Sequence, residues 1–268
     1  MATLNVEASN GYTINVPYLV APLPVLDSGS AAWTPVELSD LFAWYNAADT
    51  NTTSIIHSGG LVSAWLDQSG NGFDLVQDTG SLQPETLITN LNGLNVLNFD
   101  GADRIVTTFG VTNSLPITHV GVYKWNRTGN RIAYDGIDAN ERNSLFISIP
   151  GGTNYIMDGG IELHSGVLSD LTPVIVSATF DGTNSSLGIN GDLSPVIGNS
   201  GSDQLSGLTM GSRYDGIVPI DGYVAEHIIF LNATSNTIQK AEGHMAHLWG
   251  ITLPTNHPYY ATAPLVEE

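Results

Sequence analysis

Carboxylates are the residues best placed to do chemistry in this chain. There are 26 Asp and Glu against 7 Lys and Arg, a net charge of −19. Glycosidic hydrolysis uses two carboxyl groups at a fixed separation. A strand of the form E-x-D-x-E would aim alternate side chains into one cleft, and neither it nor an E-x-D-x-x-E run occurs. Glu226 stands alone in Tyr223-Val224-Ala225-Glu226-His227, and Asp135, Asp138 and Glu141 cluster in a loop-like stretch. There is no G-x-S-x-G elbow, phosphate-binding glycine loop or H-E-x-x-H pair. With no cysteine there is neither a thiolate nucleophile nor a disulfide framework. An enzyme would therefore have to rest on Glu226 or Asp138.

The same residue type offers a second chemistry. Asp67, Asp74, Asp100 and Asp103 stand in two glycine-bearing turns. Calcium takes six to eight oxygens, and such loops expose carbonyls beside their carboxylates. These four are the candidate calcium ligands, although no EF-hand spacing accompanies them. His244 and His247 lie three apart on a predicted helix, where they would be neighbours; with His257 they read as hydrogen-bonding residues rather than metal ligands. Glycan recognition would call on aromatic platforms near turns, and Trp125, Tyr134, Tyr155 and Tyr214 are the candidates. Arg127, Arg131 and Arg142 hold three of the seven basic residues and are expected to pair with neighbouring acids.

The elements that must position these residues are mostly strands. Short alternating or apolar runs recur, among them 61–66, 94–99, 118–123, 174–180 and 224–231. Turn dipeptides separate them: Asn71-Gly72, Asp100-Gly101, Asp181-Gly182, Asn190-Gly191 and Asp221-Gly222. One helix is predicted over about 236–249, with Asn236 and Gln239 as its capping signal and Gly250 as its stop. Ile238, Ala241, Met245, Leu248 and Trp249 form its apolar face. Before the strands, residues 3–8 and 12–16 alternate around Asn10-Gly11 and predict a hairpin arm. Pro17, Pro22, Pro24 and Pro35 then mark a linker or a wrapping strand. This divides the chain into an arm and linker, 1–36, and a β-domain, 37–268.

Charged residues are only 12% of the chain and hydrophobic residues 42%. A sizeable core is therefore available, and Asn, Ser, Thr and Gly must supply the polar surface. The acidic excess excludes nucleic-acid partners and adsorption to anionic membranes. No apolar run reaches the length of a membrane helix, and no secretory signal is visible at residues 1–5.

Four stretches together resemble a known family. Leu41-Phe42-Ala43-Trp44-Tyr45-Asn46-Ala47 is similar to its opening strand. Gly60-Leu61-Val62-Ser63-Ala64-Trp65-Leu66-Asp67-Gln68-Ser69-Gly70-Asn71-Gly72 resembles its tryptophan block. Asn92-Gly93 through Phe99-Asp100-Gly101-Ala102-Asp103 resembles a later strand and turn, and Gly243-His244-Met245-Ala246-His247-Leu248-Trp249-Gly250 its closing helix. The family is the laminin-G-like, concanavalin-type jelly roll of bacterial surface proteins and phage structural proteins. The resemblance implies an all-β jelly-roll sandwich with one short C-terminal helix and, at loop edges, calcium. Large aromatics dominate burial energetics, so Trp44, Trp65, Phe99 and Trp249 are read as core residues.

Together these readings lead to an expectation of a non-enzymatic virion surface protein: a capsid decoration, head fibre or tail-associated component. Residues 1–36 would join capsid or tail proteins by strand addition. A homo-oligomer would display the sandwich towards a surface glycan. The alternative is an extracellular or cell-surface bacterial carbohydrate-binding and adhesion module, and after it a glycan-active enzyme.

Overall fold

Period-two patterning and glycine turns build two antiparallel sheets in the computed structural model, which describes residues 2–7, 13–18, 32–50, 53–127, 129–148, 154–168 and 171–266. The chain divides into two compact units, Met1–Ala32 with Leu265–Glu268, and Trp33–Pro264. In the first, Ala2–Glu7 pairs antiparallel with Thr13–Tyr18, which gives the hairpin arm. Its expected Asn10-Gly11 turn, and most of the expected linker, lie outside the described residues. In the second unit Trp33 and Pro35 are buried, so the end of the stretch read as linker packs with the sandwich.

The larger sheet of the main unit runs from Glu162–Leu168 at one edge, through Arg131–Asp135 and Leu205–Met210, to Ile55–Ser58 at the other. The smaller sheet has the order Val196–Gly198, Ser185–Ile189, Val174–Phe180, Ile117–Trp125, Asp221–Leu231. The last of these is long enough to take two neighbours on its free side. Leu97–Asp100 pairs with its first residues and Leu41–Asn46 with its later ones. The expectation of an all-β sandwich with one C-terminal helix holds at this level.

The faces of Ile117–Trp125 show how the core is layered. Ile117, Tyr123 and Trp125 pack between the sheets with residues of both, while Val120 and Val122 pack under the helix. This strand is buried on both faces, polar Thr118 and His119 included. The helix, Ser235–Trp249, lies over the outer face of the smaller sheet through Ala241, Met245, Ala246 and Trp249. Its cap is Thr234, whose hydroxyl accepts from the Thr237 amide at 3.2 Å, and not Asn236, which is already inside the first turn. Gly250 ends it at φ 71°, the left-handed conformation that glycine adopts freely.

The inter-sheet core also carries a polar chain. The Tyr123 hydroxyl lies 2.6 Å from His227 Nδ1, and His227 Nε2 lies 3.2 Å from His119 Nδ1. With both rings neutral, each of these contacts pairs one donor with one acceptor. The far nitrogen of His119, Nε2, and Asn143 Oδ1 are both buried without a hydrogen-bond partner. Asn143 Nδ2 donates to the carbonyls of Arg142 and Asp203. Gly121 makes the chain sterically feasible, since a Cβ there would stand 2.2 Å from the Tyr123 hydroxyl.

Burial holds His119 down at about 3 and His227 well below the usual histidine range, where His119 adds to the effect. The unfolded chain therefore takes up two protons below about pH 6.5 that the folded one refuses. The contribution of the two rings to stability is full above that pH and falls as pH drops towards 3, by up to about 2.7 kcal/mol per pH unit. Urea unfolding of the wild type and His119→Leu between pH 7.5 and 4.5 isolates this contribution, since the carboxyl groups that titrate in the same range are common to both: the two slopes are expected to differ by about one proton.

Candidate functional site

The residues expected to contact glycan are mostly elsewhere. Trp125, Tyr134 and Tyr155 are 0, 1 and 2% exposed and belong to the inter-sheet core. This corrects the reading of them as glycan platforms: each lies on a strand whose inward face it occupies. Tyr134 stacks on His119 at 4.7 Å. Tyr214 is half-buried, with the Arg213 guanidinium 5.4 Å from its ring centre.

The four candidate calcium ligands separate into two pairs with different surroundings. Asp67 Oδ1 accepts from the amides of Trp44 and Ser69, and Oδ2 from the Ser69 hydroxyl and the Phe73 amide. Asp74 Oδ1 accepts from the Asp67 amide. This pair ties the loop after Leu61–Trp65 to the strand Leu41–Asn46, with backbone donors meeting the carboxylates. Among the described residues no group of three or more His, Asp or Glu is arranged to hold a metal ion.

Glu226 is fully buried. An irregularity beside Ala225 in the pairing with Ile117–Trp125 turns it to the helix side. There it accepts from Trp44 Nε1 and Trp249 Nε1, both at 2.7 Å, and meets His244 Nε2 at 3.2 Å. Burial pushes the carboxyl up and the imidazole down. Their mutual attraction, with the two indole donors on Glu226, outweighs this, so Glu226 lies below and His244 above its usual range. The result is a buried ion pair that no glycan reaches, and Glu226 is not a catalytic candidate. His247 bonds the Tyr259 carbonyl and His257 bonds Glu242, in keeping with their reading as hydrogen-bonding residues. Arg127 pairs with Asp221, and Arg142 with Asp135 and Asp158, as expected; Arg131, the third of the cluster, donates to the Pro219 carbonyl at 3.2 Å instead.

The second aspartate pair opens onto a groove of about 350 Å³. Its floor follows from strand register. Asp100 faces Asp221 across the antiparallel pair, and Asn98 faces Tyr223. On its other side Asn98 exchanges both backbone hydrogen bonds with Glu85, each 2.8 Å. Alternation puts Asn98 and Asp100 on one face, and directly opposed residues bring their side chains to about 5 Å. Glu85, Asp100 and Asp221 therefore line the same groove, with Asp103, Gln83 and Asn126. The turn Asp100-Gly101-Ala102-Asp103 folds back on itself: the Asp100 amide donates to Asp103 Oδ2 and the Ala102 amide to Asp100 Oδ1, both at 2.8 Å. Gly101 holds φ 95° there.

Asp103 is 4% exposed. Burial pushes its carboxyl up to about 7 against the pull of the Asp100 amide, and the carboxylates of Asp100 and Glu85 add to the rise. Asn98 Nδ2 is buried without a hydrogen-bond partner. The groove thus combines a carboxyl group that holds its proton near neutral pH, further carboxylates and three side-chain amides. That set suits a ligand rich in hydroxyls, and it can donate a proton. The sequence pointed to Asp100 and Asp103 but not to Glu85, Asn98 or Asp221. The available signal was the i, i+2 spacing of Asn98 and Asp100; Asp221-Gly222 read as a turn but begins the longest strand.

No protein-family model matches the chain, and no curated protein matches it. Solved structures do. Domain 4 of AbnA, a GH43 extracellular arabinanase from Geobacillus stearothermophilus in complex with arabinotriose, aligns with a TM-score of 0.54 at 12% identity, over 76% of this chain and 98% of that one. A GH54 α-L-arabinofuranosidase soaked with a cyclic sulfate inhibitor aligns at 0.55 and 14%, over 80% of this chain and 60% of that one. A Trypanosoma rangeli sialidase in complex with sialic acid aligns at 0.50 and 14%, over 76% of this chain and 33% of that one. The chain thus spans nearly all of the arabinanase domain, about three-fifths of the arabinofuranosidase and a third of the sialidase. These likenesses show the β-sandwich fold. They overturn the expectation of a non-enzymatic virion surface protein: the sandwich recurs in glycoside hydrolases or in a domain of one. The laminin-G resemblance is supported as far as an all-β sandwich.

Glu226→Ala leaves His244 and two indole N–H groups buried without their acceptor. Loss of one partner of such a pair costs roughly 3–5 kcal/mol, read as a drop in the urea midpoint. Any protein that stays folded is expected to keep its groove properties, measured by glycan binding.

Proposed function

We propose that this protein is a glycan-active β-sandwich that takes a neutral glycan chain into the groove around Asp100, Asp103 and Asp221. The observation that carries the reading is Asp103, a carboxyl group pushed up to about 7 by burial and set beside other carboxylates. Glycoside hydrolysis asks for this division of labour: one carboxyl group keeps its proton to give to the leaving oxygen, while a neighbouring carboxylate stabilises the oxocarbenium-like centre or activates water. Asp103 takes the first role. Asp221, oriented by Arg127 at 2.6 Å and by Asn126, takes the second. Asn98, Gln83 and Asn126 hold sugar hydroxyls.

Charge selects among glycans. A groove lined by Glu85, Asp100 and Asp221 on a chain of net charge −19 repels acidic sugars such as sialic acid. Neutral arabinose-containing glycans are the first choice, since arabinotriose is the ligand named for the arabinanase domain that the chain spans. The concanavalin-like jelly-roll connectivity belongs to the same proposal.

The test is release of reducing ends from arabinan and arabinoxylan, with binding measured in parallel. Loss of a general acid costs on the order of 10²–10⁴ in rate, so Asp103→Asn is expected to lose at least about a hundredfold with its fold intact. The protonated form is the active one, so the rate holds below about pH 7 and falls as pH rises through it. Wild-type turnover unchanged in Asp103→Asn rules out the assignment. Binding without turnover leaves the groove a recognition site within a larger glycan-active protein.

A further inference from the structure

We propose that the cleft between the C-terminal helix and the strands Val174–Phe180 and Ser185–Ile189 is a second binding site, shaped for a single neutral sugar ring. It lies apart from the groove. Within the smaller sheet, Ser185–Ile189 and Leu97–Asp100 are four strand spacings apart, with Val174–Phe180, Ile117–Trp125 and Asp221–Leu231 between them. At about 4.8 Å each this is roughly 19 Å.

The cleft holds about 130 Å³, well below the ~300–1,000 Å³ of sites that enclose drug-sized ligands. Its floor is set by register: Ser177 opposes Gly188 and Thr179 opposes Ser186, so three hydroxyls line it around a glycine. The helix supplies the roof from one face, Ser235, Ile238, Gln239 and Glu242, the spacing that stacks side chains along a helix. The turn after Ser185–Ile189 closes the side with Leu193 and Pro195.

Two features point to a hydroxyl-bearing ligand. Glu242, 3% exposed, is anchored at the back. Its Oε1 accepts from the Ser177 hydroxyl at 2.5 Å, and its Oε2 lies 3.2 Å from His257 Nε2. Each carboxylate oxygen accepts two hydrogen bonds, so both keep capacity. The side chains of Ser186 and Gln239 make no hydrogen bond among the described residues, although both line the cleft. A buried acceptor, a free hydroxyl and a free amide on one side, with Leu193, Pro195 and Ile238 on the other, match the hydroxyl edge and C–H face of a sugar ring. Glu242 and Asp192 disfavour an anionic one.

The test is a two-dimensional amide NMR titration of the full chain with L-arabinose and D-galactose, and with D-glucosamine as a cationic control. Saturable shifts at Ser186, Gly188 and Gln239 in the millimolar range are expected with a neutral sugar. Gly188→Val fills the cleft, and a Cβ there meets only ordinary contacts, 3.6 Å from Pro195 Cβ and 3.8 Å from the Asp192 carbonyl; it is expected to abolish the shifts. Gln239→Ala is expected to weaken binding about fivefold, one hydrogen bond's worth. Asp103→Asn is expected to leave these shifts intact even if it ends every groove function, which keeps the two sites separable. Absence of saturable shifts at these residues, their persistence in Gly188→Val, or preference for glucosamine would overturn the proposal.

Discussion

The buried carboxylate of Glu226 is the constraint around which the rest of this molecule is arranged. Taking a carboxylate out of water costs several kcal/mol unless donors replace the lost hydration. Here the donors come from far apart in sequence: Trp44 on an early strand, His244 and Trp249 on the last helix. Meeting the needs of one group therefore ties an early strand and the C-terminal helix to the strand Asp221–Leu231. That strand, Asp221–Leu231, also places His227 in the inter-sheet core, and its first residue, Asp221, in the groove. The irregularity beside Ala225 lets one strand serve the helix side with Glu226 and the core with His227.

A second constraint is the scarcity of cations. With 7 Lys and Arg for 26 Asp and Glu, most carboxylates must be met by N–H and O–H donors or keep their protons. Asp67 takes the first course, with three backbone amides and a hydroxyl. Arg142 is spent on Asp135 and Asp158; even so, burial pushes Asp135 up to about 6 against the pull of that guanidinium. Asp103 has no guanidinium, and burial beside Asp100 and Glu85 takes it to about 7. The proton that would make the groove reactive is thus a consequence of the chain's composition expressed at a particular turn.

The comparison with arabinanase and arabinofuranosidase structures concerns the frame alone, and function has to be argued from what is mounted on it. Two mountings stand out, both bordering the smaller sheet. One is rich in carboxylates and amides and sits where strands from three parts of the chain meet. The other is small, lined with hydroxyls, and held open under the helix by Gly188.

Much of the frame was readable from residue order. Alternation, Asn-Gly and Asp-Gly turns, and the apolar face from Ile238 to Trp249 are local properties, so they located the strands, the hairpin arm and the helix. The composition alone announced a carboxylate-rich, cation-poor surface. Other features depend on neighbours that are distant in sequence. Trp125, Tyr134 and Tyr155 looked like exposed platforms because alternation does not say which face of a strand is covered, and here both faces of Ile117–Trp125 are. Glu85 joined Asn98, and Asp100 met Asp221, only through strand pairing across 13 and 121 residues. Whether a carboxyl group is buried, paired or protonated is set by what packs against it. For that reason the sequence determined the strands, the helix and the acid content, and the tertiary structure alone decided which aspartates and glutamates could act.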